Sequence, residues 1–200
     1  MARIMAPLVA IMALAFGGCS SFTARITSSE RSGSEQLLLT GISDQAIECL
    51  NFAPLAGAHV YLDDSHIDAT DDDWIAFSLR RTMARQGLLL VSDEDDAEVV
   101  VDAAVAAYGT DETDCRIALP SVSSFGAIPL PTGNPDAISR KNRQDAVIKL
   151  ALMATDRASH RLVWESGTIL KTGTLDRRFF GTREVKRSSS LAELDPYPRR

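Results

Sequence analysis

The stretch that decides the fold is residues 70–107, TDDDWIAFSLRRTMARQGLLLVSDEDDAEVVVDAAVAA. Thr70 is expected to cap a helix, because the three carboxylates that follow it would lie at the positive end of the helix dipole. The helix is amphipathic and runs to Gln86, since apolar residues recur every four positions at Ile75, Leu79 and Met83. Gly87 is expected to end it.

Two strands are predicted after this helix. The first covers residues 88–91, and an acidic turn leads to the second over residues 98–107. Alternation places Asp102 on one face of the second strand and four apolar residues on the other, namely Val99, Val101, Ala103 and Val105.

A second helix is predicted upstream, from Ser34 as N-cap to about residue 51. One of its faces is apolar, with Leu39, Ile42, Ala46 and Leu50. Pro54 and Gly57 would end it ahead of a strand over residues 58–62.

A β-hairpin is predicted downstream. Residues 145–154 alternate, with Ile148, Leu150 and Leu152 on one face, and a polar turn at 156–161 leads to a return strand at 162–165. Residues 168–172 can supply one more strand. Together these elements predict one α+β domain over residues 34–182: a two-layer sandwich with a mixed sheet of about five strands and two helices on one face.

The segment 109–143 is predicted to be a long irregular loop, because glycine and proline recur throughout it. It is apolar for a loop. Its side chains either fold back over the sheet or contact a partner, and the candidates for such contacts are Ile117, Leu119, Val122, Phe125, Ile128 and Leu130.

The N-terminus has the pattern of a secretory signal over residues 1–18: Arg3, an apolar run to Phe16, and two glycines before Cys19. Phe16-Gly17-Gly18-Cys19 resembles the lipobox of bacterial lipoproteins, which implies that Cys19 is lipidated and becomes the first residue of the mature chain. Ser20 stands where an Asp would keep such a lipoprotein at the inner membrane, so the resemblance implies the outer membrane. Residues 19–33 are then the lipidated cysteine and a flexible tether.

The net charge and the number of cysteines limit the classes of protein to which this chain can belong. The formal charge is −6, and loss of the signal with Arg3 would make it −7, which excludes a globally basic nucleic-acid binder.

Cys49 and Cys115 would remain as an even pair in an oxidising compartment, where they could be bridged. Alternatively, Cys49 is a small core residue on the apolar stripe of its helix.

Positive charge gathers near the C-terminus. Arg177, Arg178 and Arg183 flank two phenylalanines and could contact an anionic surface, or they form a solvated edge with both rings in the core. Residues 183–200 are expected to be a polar, disordered tail.

No motif for catalysis, metal or cofactor stands out. Glu165-Ser166-Gly167 lacks the first glycine of a nucleophile elbow, and no two histidines have the spacing of a zinc helix. The best cation candidate is the group Asp63, Asp64, His66 and Asp68, with Asp71 nearby, but a solvated loop explains it better, so we predict no metal site and no cofactor.

Short motifs distributed over residues 30–182 carry a resemblance to an uncharacterised family of bacterial lipoproteins. Those motifs are Glu35–Leu39, Pro54–Gly57, Val60–Asp63, Gly109–Asp111, Lys149–Leu152 and Ser166–Gly167. The order of elements is also similar to the periplasmic α/β domains of curli-secretion and Tol-type envelope proteins, which is a likeness of fold alone.

The sequence therefore predicts an exported, lipid-anchored protein of the outer membrane that faces the periplasm. Its domain would be non-catalytic and would bind an envelope protein or a second copy through the 109–143 loop or a free sheet edge. The alternative is an envelope enzyme of unrecognised type, with Asp63, Asp102 or Asp111 as acid or base.

Overall fold

The computed structural model describes residues 31–117, 138–181 and 183–191, together with the backbone of 22–26, 124–125 and 128–129. Its two α-helices are α1 (Gly33–Glu48) and α2 (Asp72–Arg85). Its strands are β1 (Phe22–Ile26), β2 (His59–Ile67), β3 (Leu89–Leu90), β4 (Val99–Ile117), β5 (Ser124–Phe125), β6 (Ile128–Pro129), β7 (Ser139–Asp156), β8 (Leu162–Phe180) and β9 (Arg183–Ser189).

Both helix starts differ from the prediction. The Ser32 hydroxyl, not Ser34, caps α1 by accepting from the Glu35 amide at 3.3 Å. At α2 the N-cap position belongs to Asp71, whose side chain makes no capping bond. The Asp71 carboxylate instead accepts hydrogen bonds from Arg31 Nη1 at 2.8 Å and from the Tyr108 hydroxyl at 2.6 Å. Distant partners thus outcompete the local amides for this carboxylate.

The body of each helix follows the predicted periodicity. In α1 the side chains of Leu38, Leu39, Ile42, Ala46 and Ile47 are buried, and in α2 those of Ile75, Leu79 and Met83 are buried. Gly87 ends α2 in the left-handed region with φ +90°, as predicted, because a residue without Cβ adopts this angle at no steric cost.

The main sheet is mixed. Within the described residues it has seven strands, more than the five expected, in the order β3-β2-β4-β7-β8-β9 with β1 pairing β4 off this path. β2 is parallel to both β3 and β4. Two of the additional strands lie where none was predicted: β1 occupies part of the predicted tether, and β9 occupies the start of the predicted disordered tail.

Three strands are much longer than predicted. β4 continues to Ile117 and β7 begins at Ser139, so both ends of the predicted 109–143 loop are strand. These extensions bury polar side chains, Asp114 and Asn142, in place of apolar ones. The apolar alternation by which a strand is recognised in sequence is therefore missing there.

β8 also contains the separately predicted strand 168–172. Before Gly167 the more buried side chains are even-numbered, Trp164 and Ser166, and after it they are odd-numbered, Ile169 and Leu175 among them. Gly167 has φ +65°. A glycine in the left-handed region is typical of a β-bulge, and the change in the phase of the burial pattern at this point makes one strand look like two.

The core joins both helices to one side of the strands. Phe52 is fully buried and its ring centroid lies 5.1 Å from that of Trp164. The approach of β8 to α1 is very close at Gly173, where a Cβ would lie 2.6 Å from Ile42 Cγ2. Only a glycine fits there without a shift of the helix or the strand.

The chain divides into two compact units. The helix-bearing unit comprises residues 26–111, 144–175 and 188–200, and the strand-end unit comprises residues 1–25, 112–143 and 176–187. Several strands thus contribute residues to both units.

Candidate functional site

A groove of ≈ 270 Å³ opens on the sheet of the helix-bearing unit, across β4, β7 and β8. Ala104, Ala151 and Met153 supply apolar surface, while Asp102, Glu165 and Thr168 supply polar groups. Gly167, with φ +65°, lies in its wall. Because glycine has no side chain, this wall leaves room for a ligand.

A histidine and two carboxylates meet beside the groove. One ligand atom from each of Asp63, His66 and Asp102 lies within 4.8 Å of the others. His66 Nδ1 lies 3.1 Å from Asp102 Oδ1. The β2–β4 register pairs Asp63 with Asp102 and His66 with Ala104, so an irregularity between Asp63 and His66 turns these side chains to the same place.

The electrostatics of the cluster favour the ionised form of Asp63. Hydrogen bonds from the backbone and side chain of Ser65 lower the pKa of Asp63, and His66 adds to this effect. A carboxylate can only accept, so the His66 tautomer with a proton on Nδ1 donates to Asp102 and leaves Nε2 as an acceptor. The His66 side chain is 64% exposed and is therefore accessible from solvent. The arrangement can hold and relay a proton.

The predicted cation group is only partly assembled. Asp63 and His66 meet, but their partner is Asp102 from β4, which the sequence prediction had placed among catalytic candidates. Asp64 instead forms a salt bridge with Arg80 at 2.8 Å, and Asp71 accepts from Arg31 and Tyr108. Asp111, the remaining catalytic candidate, lies exposed on β4.

The predicted disulfide is wrong. Cys49 and Cys115 are both free and exposed. The alternative prediction, a buried Cys49, is also wrong, because α1 ends at Glu48 and Cys49 stands at the C-cap, beyond the last buried turn. Its Sγ lies 3.3 Å from the Gln45 carbonyl oxygen, to which it donates.

Among the predicted loop contacts, Ile117 is the end of β4 and is 64% exposed. β5 and β6 form a short antiparallel pair that contains the backbone of Phe125 and Ile128. The side chains of Leu119, Val122, Phe125, Ile128 and Leu130 lie outside the described residues.

The basic stretch lies on the end of β8 and on β9, in the strand-end unit. Arg178 and Arg183 are exposed, whereas Arg177 is partly buried. The two rings differ: Phe179 packs with Arg140, whose guanidinium carbon lies 5.9 Å from the ring centroid, and Phe180 is 65% exposed. The prediction that both rings enter the core is therefore wrong for Phe180.

The strand-end unit is held by charges. Asp114 Oδ1 accepts from Arg140 Nε at 2.9 Å, and its Oδ2 accepts from Arg116 Nε at 2.8 Å. Asn142 donates to Glu112 nearby. Burial alone would raise the pKa of Asp114, but the hydrogen bonds and charges of Arg116 and Arg140 outweigh it and lower that pKa.

Two features were missed in the sequence. The His66–Asp102 pair joins residues 36 positions apart, so no short sequence motif predicts it. Glu165, which lines the groove, belongs to no motif that would predict a binding role. Alternation on a hairpin strand would have placed it on the face opposite Trp164.

The predicted anchor, Cys19, lies outside the described residues. Within the described part of the chain, no helix is long and apolar enough to cross a membrane.

Comparison with curated proteins finds no match to this sequence. Residues 15–187 match DUF6655, described as a family of unknown function. This match covers most of the chain, including both helices and nearly all of the main sheet. The chain therefore belongs to the DUF6655 family.

Proposed function

We propose that this protein is an exported lipoprotein, anchored through Cys19 in the outer membrane and facing the periplasm. The proposal rests on Arg3, the apolar run to Phe16 and the small residues before Cys19. Lipid chains contribute about 0.8 kcal/mol per buried methylene, so a multiply acylated cysteine would hold the domain at the bilayer. The family, on this proposal, is one of lipoproteins.

Replacement of the cysteine tests the anchor. Cys19→Ala should abolish incorporation of labelled palmitate and leave the precursor unprocessed, because no thiol remains to accept the lipid. Cys49→Ser is the matched control and should label normally. Undiminished palmitate incorporation in the Cys19→Ala chain would contradict the anchor.

We further propose that the domain is a binding module rather than an enzyme, and one observation carries this: the free edge of β8. β9 has seven residues and β8 nineteen, and the Ser190 amide donates to the Thr174 carbonyl oxygen at 3.0 Å. Within the described residues, the part of β8 before residue 174 thus has a neighbour on one side only, β7. Its exposed side chains include Leu162, Val163 and Leu170.

Such an edge favours an extended segment of an envelope protein. Unpaired backbone amides and carbonyls supply hydrogen bonds to an added strand, and exposed apolar side chains supply contact area. The two-layer arrangement fits the proposal, because helices on one face would leave this edge and the other face open. Likeness to curli-secretion and Tol-type domains would place the protein among envelope assemblies.

In-cell photo-crosslinking tests the edge. A photoreactive phenylalanine at Leu170, which is 61% exposed, should give one discrete adduct with a partner. The same probe at Phe77 on α2, which is 54% exposed, is the control and should give none. Equal adducts from both positions, or adducts from Phe77 alone, would contradict binding at the edge.

An envelope enzyme is the second candidate, favoured by the His66–Asp102 pair beside the groove. In this case Nε2 of His66 would be the general base. Turnover of chromogenic esters, phosphates or glycosides should then disappear in His66→Ala and persist in Asp64→Asn. Turnover that survives in His66→Ala would remove this candidate.

A further inference from the structure

We propose that the strand-end unit rests on anionic phospholipid head groups through a basic patch formed by Arg178, Phe180, Arg183 and Val185. The inference rests on the proposed anchor at Cys19 and specifies what the anchored domain touches. It is carried by three observations: free positive charges, exposed apolar side chains beside them, and a short connection to the anchor.

The positive charges of the patch are available. Arg178 and Arg183 are exposed, and neither makes a salt bridge within the described part of the chain. Other cations of this unit are already engaged, as Arg116 and Arg140 are with Asp114. In a chain of net charge −6, two unengaged cations on adjacent strands form a local positive field that attracts phosphate.

Apolar side chains accompany these charges. Phe180 is 65% exposed and Val185 is 51% exposed. Alternation puts Phe180 on the same side of β8 as Arg178, and Val185 on the same side of β9 as Arg183. Cations with exposed aromatic and aliphatic neighbours are typical of surfaces that enter the head-group region, whereas a phosphate-bearing polymer in water would leave the apolar groups exposed.

The connection to the anchor is short. Only Ser20 and Ser21 separate Cys19 from Phe22, where β1 begins. β1 pairs with β4, and residues 22–25 belong to the same compact unit as 176–187. Three residues span at most about 10 Å, so a lipid on Cys19 holds this unit at the membrane surface. A flexible tether of 14 residues would have imposed no such constraint.

Depth measurement in vesicles tests the proposal. The acylated chain, with Cys49 and Cys115 changed to Ser, carries a fluorophore on Val185→Cys and is placed in phosphatidylcholine vesicles with or without phosphatidylglycerol. Nitroxide-labelled lipid should quench this fluorophore strongly in the anionic vesicles and weakly in the neutral ones. High salt should reduce the quenching in the anionic vesicles, since screening weakens surface charge attraction.

Charge reversal sharpens the test. Arg178→Glu and Arg183→Glu together should lower the occupancy of the docked state, by about fivefold for each cation removed. Lys149→Glu and Arg161→Glu change the net charge equally on the helix-bearing unit and should leave the quenching unchanged. A fluorophore on Phe77→Cys gives the background.

The outcomes separate the two proposals. Vesicle flotation with palmitate labelling reports the anchor by itself. If the chain floats but its Val185→Cys quenching is equal in neutral and anionic vesicles, or insensitive to salt, the docking is wrong and the anchor stands. If the chain neither labels nor floats, the anchor fails and the docking fails with it.

Discussion

The two compact units are built from the same strands but are held by different forces. In the helix-bearing unit the buried residues are overwhelmingly apolar, with Leu38, Ile42, Leu79, Ile148 and Leu150 fully buried. Within the described residues of the strand-end unit, no hydrophobic side chain is buried, and the buried residues are Asp114 and Asn142. One unit thus depends on apolar burial, and the other on hydrogen bonds and ion pairs.

This difference shows what a helix layer contributes to a sheet. A strand can bury apolar side chains only where another layer covers them, and α1 and α2 both lie in the helix-bearing unit. Where β4 and β7 enter the strand-end unit, their inward positions carry carboxylate, amide and guanidinium groups that satisfy one another. On our proposals, the exposed cations of the strand-end unit contact phosphate, whereas the apolar β8 edge contacts protein.

The largest effect expected from this comparison is in the core. Leu150→Ala removes a fully buried side chain and should lower the free energy of unfolding by about 3 kcal/mol, from lost burial and the cavity left behind. Urea unfolding followed by circular dichroism measures it. Met153→Ala on the same strand is the control, because that side chain is 45% exposed and should cost far less. Equal losses of unfolding free energy in the two variants would contradict the conclusion that apolar burial holds the helix-bearing unit together.

A smaller effect is expected where β8 approaches α1. Gly173→Ala would bring a Cβ to 2.6 Å from Ile42 Cγ2 and 3.1 Å from Leu38 Cδ1, and should cost about 2 kcal/mol through overpacking. Gly109→Ala is the matched control on β4, with nothing within 4 Å of the new Cβ, and should be close to neutral. Thermal unfolding of both variants measures the difference. If Gly173→Ala leaves the stability unchanged, α1 can shift away from β8 at little energetic cost.

The smallest effect is expected in the strand-end unit. Asp114→Asn should cost about 1.5 kcal/mol at neutral pH, because two charge-assisted hydrogen bonds are weakened while Arg116 and Arg140 remain partly exposed to water.

The pH dependence of stability identifies the source of that loss. The pKa of Asp114 is lower in the folded chain, so its contribution is complete above the unfolded value of about 3.9 and is lost as pH falls through the folded value. The difference in unfolding free energy between wild type and Asp114→Asn should therefore shrink as acid is added below about pH 4. A difference that stays constant there would mean that the carboxylate charge does not hold this unit.

Much of the helix-bearing unit could be predicted because its signals are local. The four-residue spacing of Ile75, Leu79 and Met83, the glycine after α2 and the alternation of Ile148, Leu150 and Leu152 each follow from burial of one face. The choice of capping residue could not be predicted in the same way, since Asp71 binds Arg31 and Tyr108, which lie 40 and 37 positions away.

The sequence by itself determined the α+β class, the two helices and the hairpin, all of which depend on patterns between residues that are close in the chain. Only the tertiary structure decided the lengths of β4, β7 and β8, the pairing of β1 and β9, and the meeting of Asp63 and His66 with Asp102. These features depend on partners far apart in the chain. Polar side chains carry no periodic signal of burial, because whether they are satisfied depends on which distant group the fold brings to them.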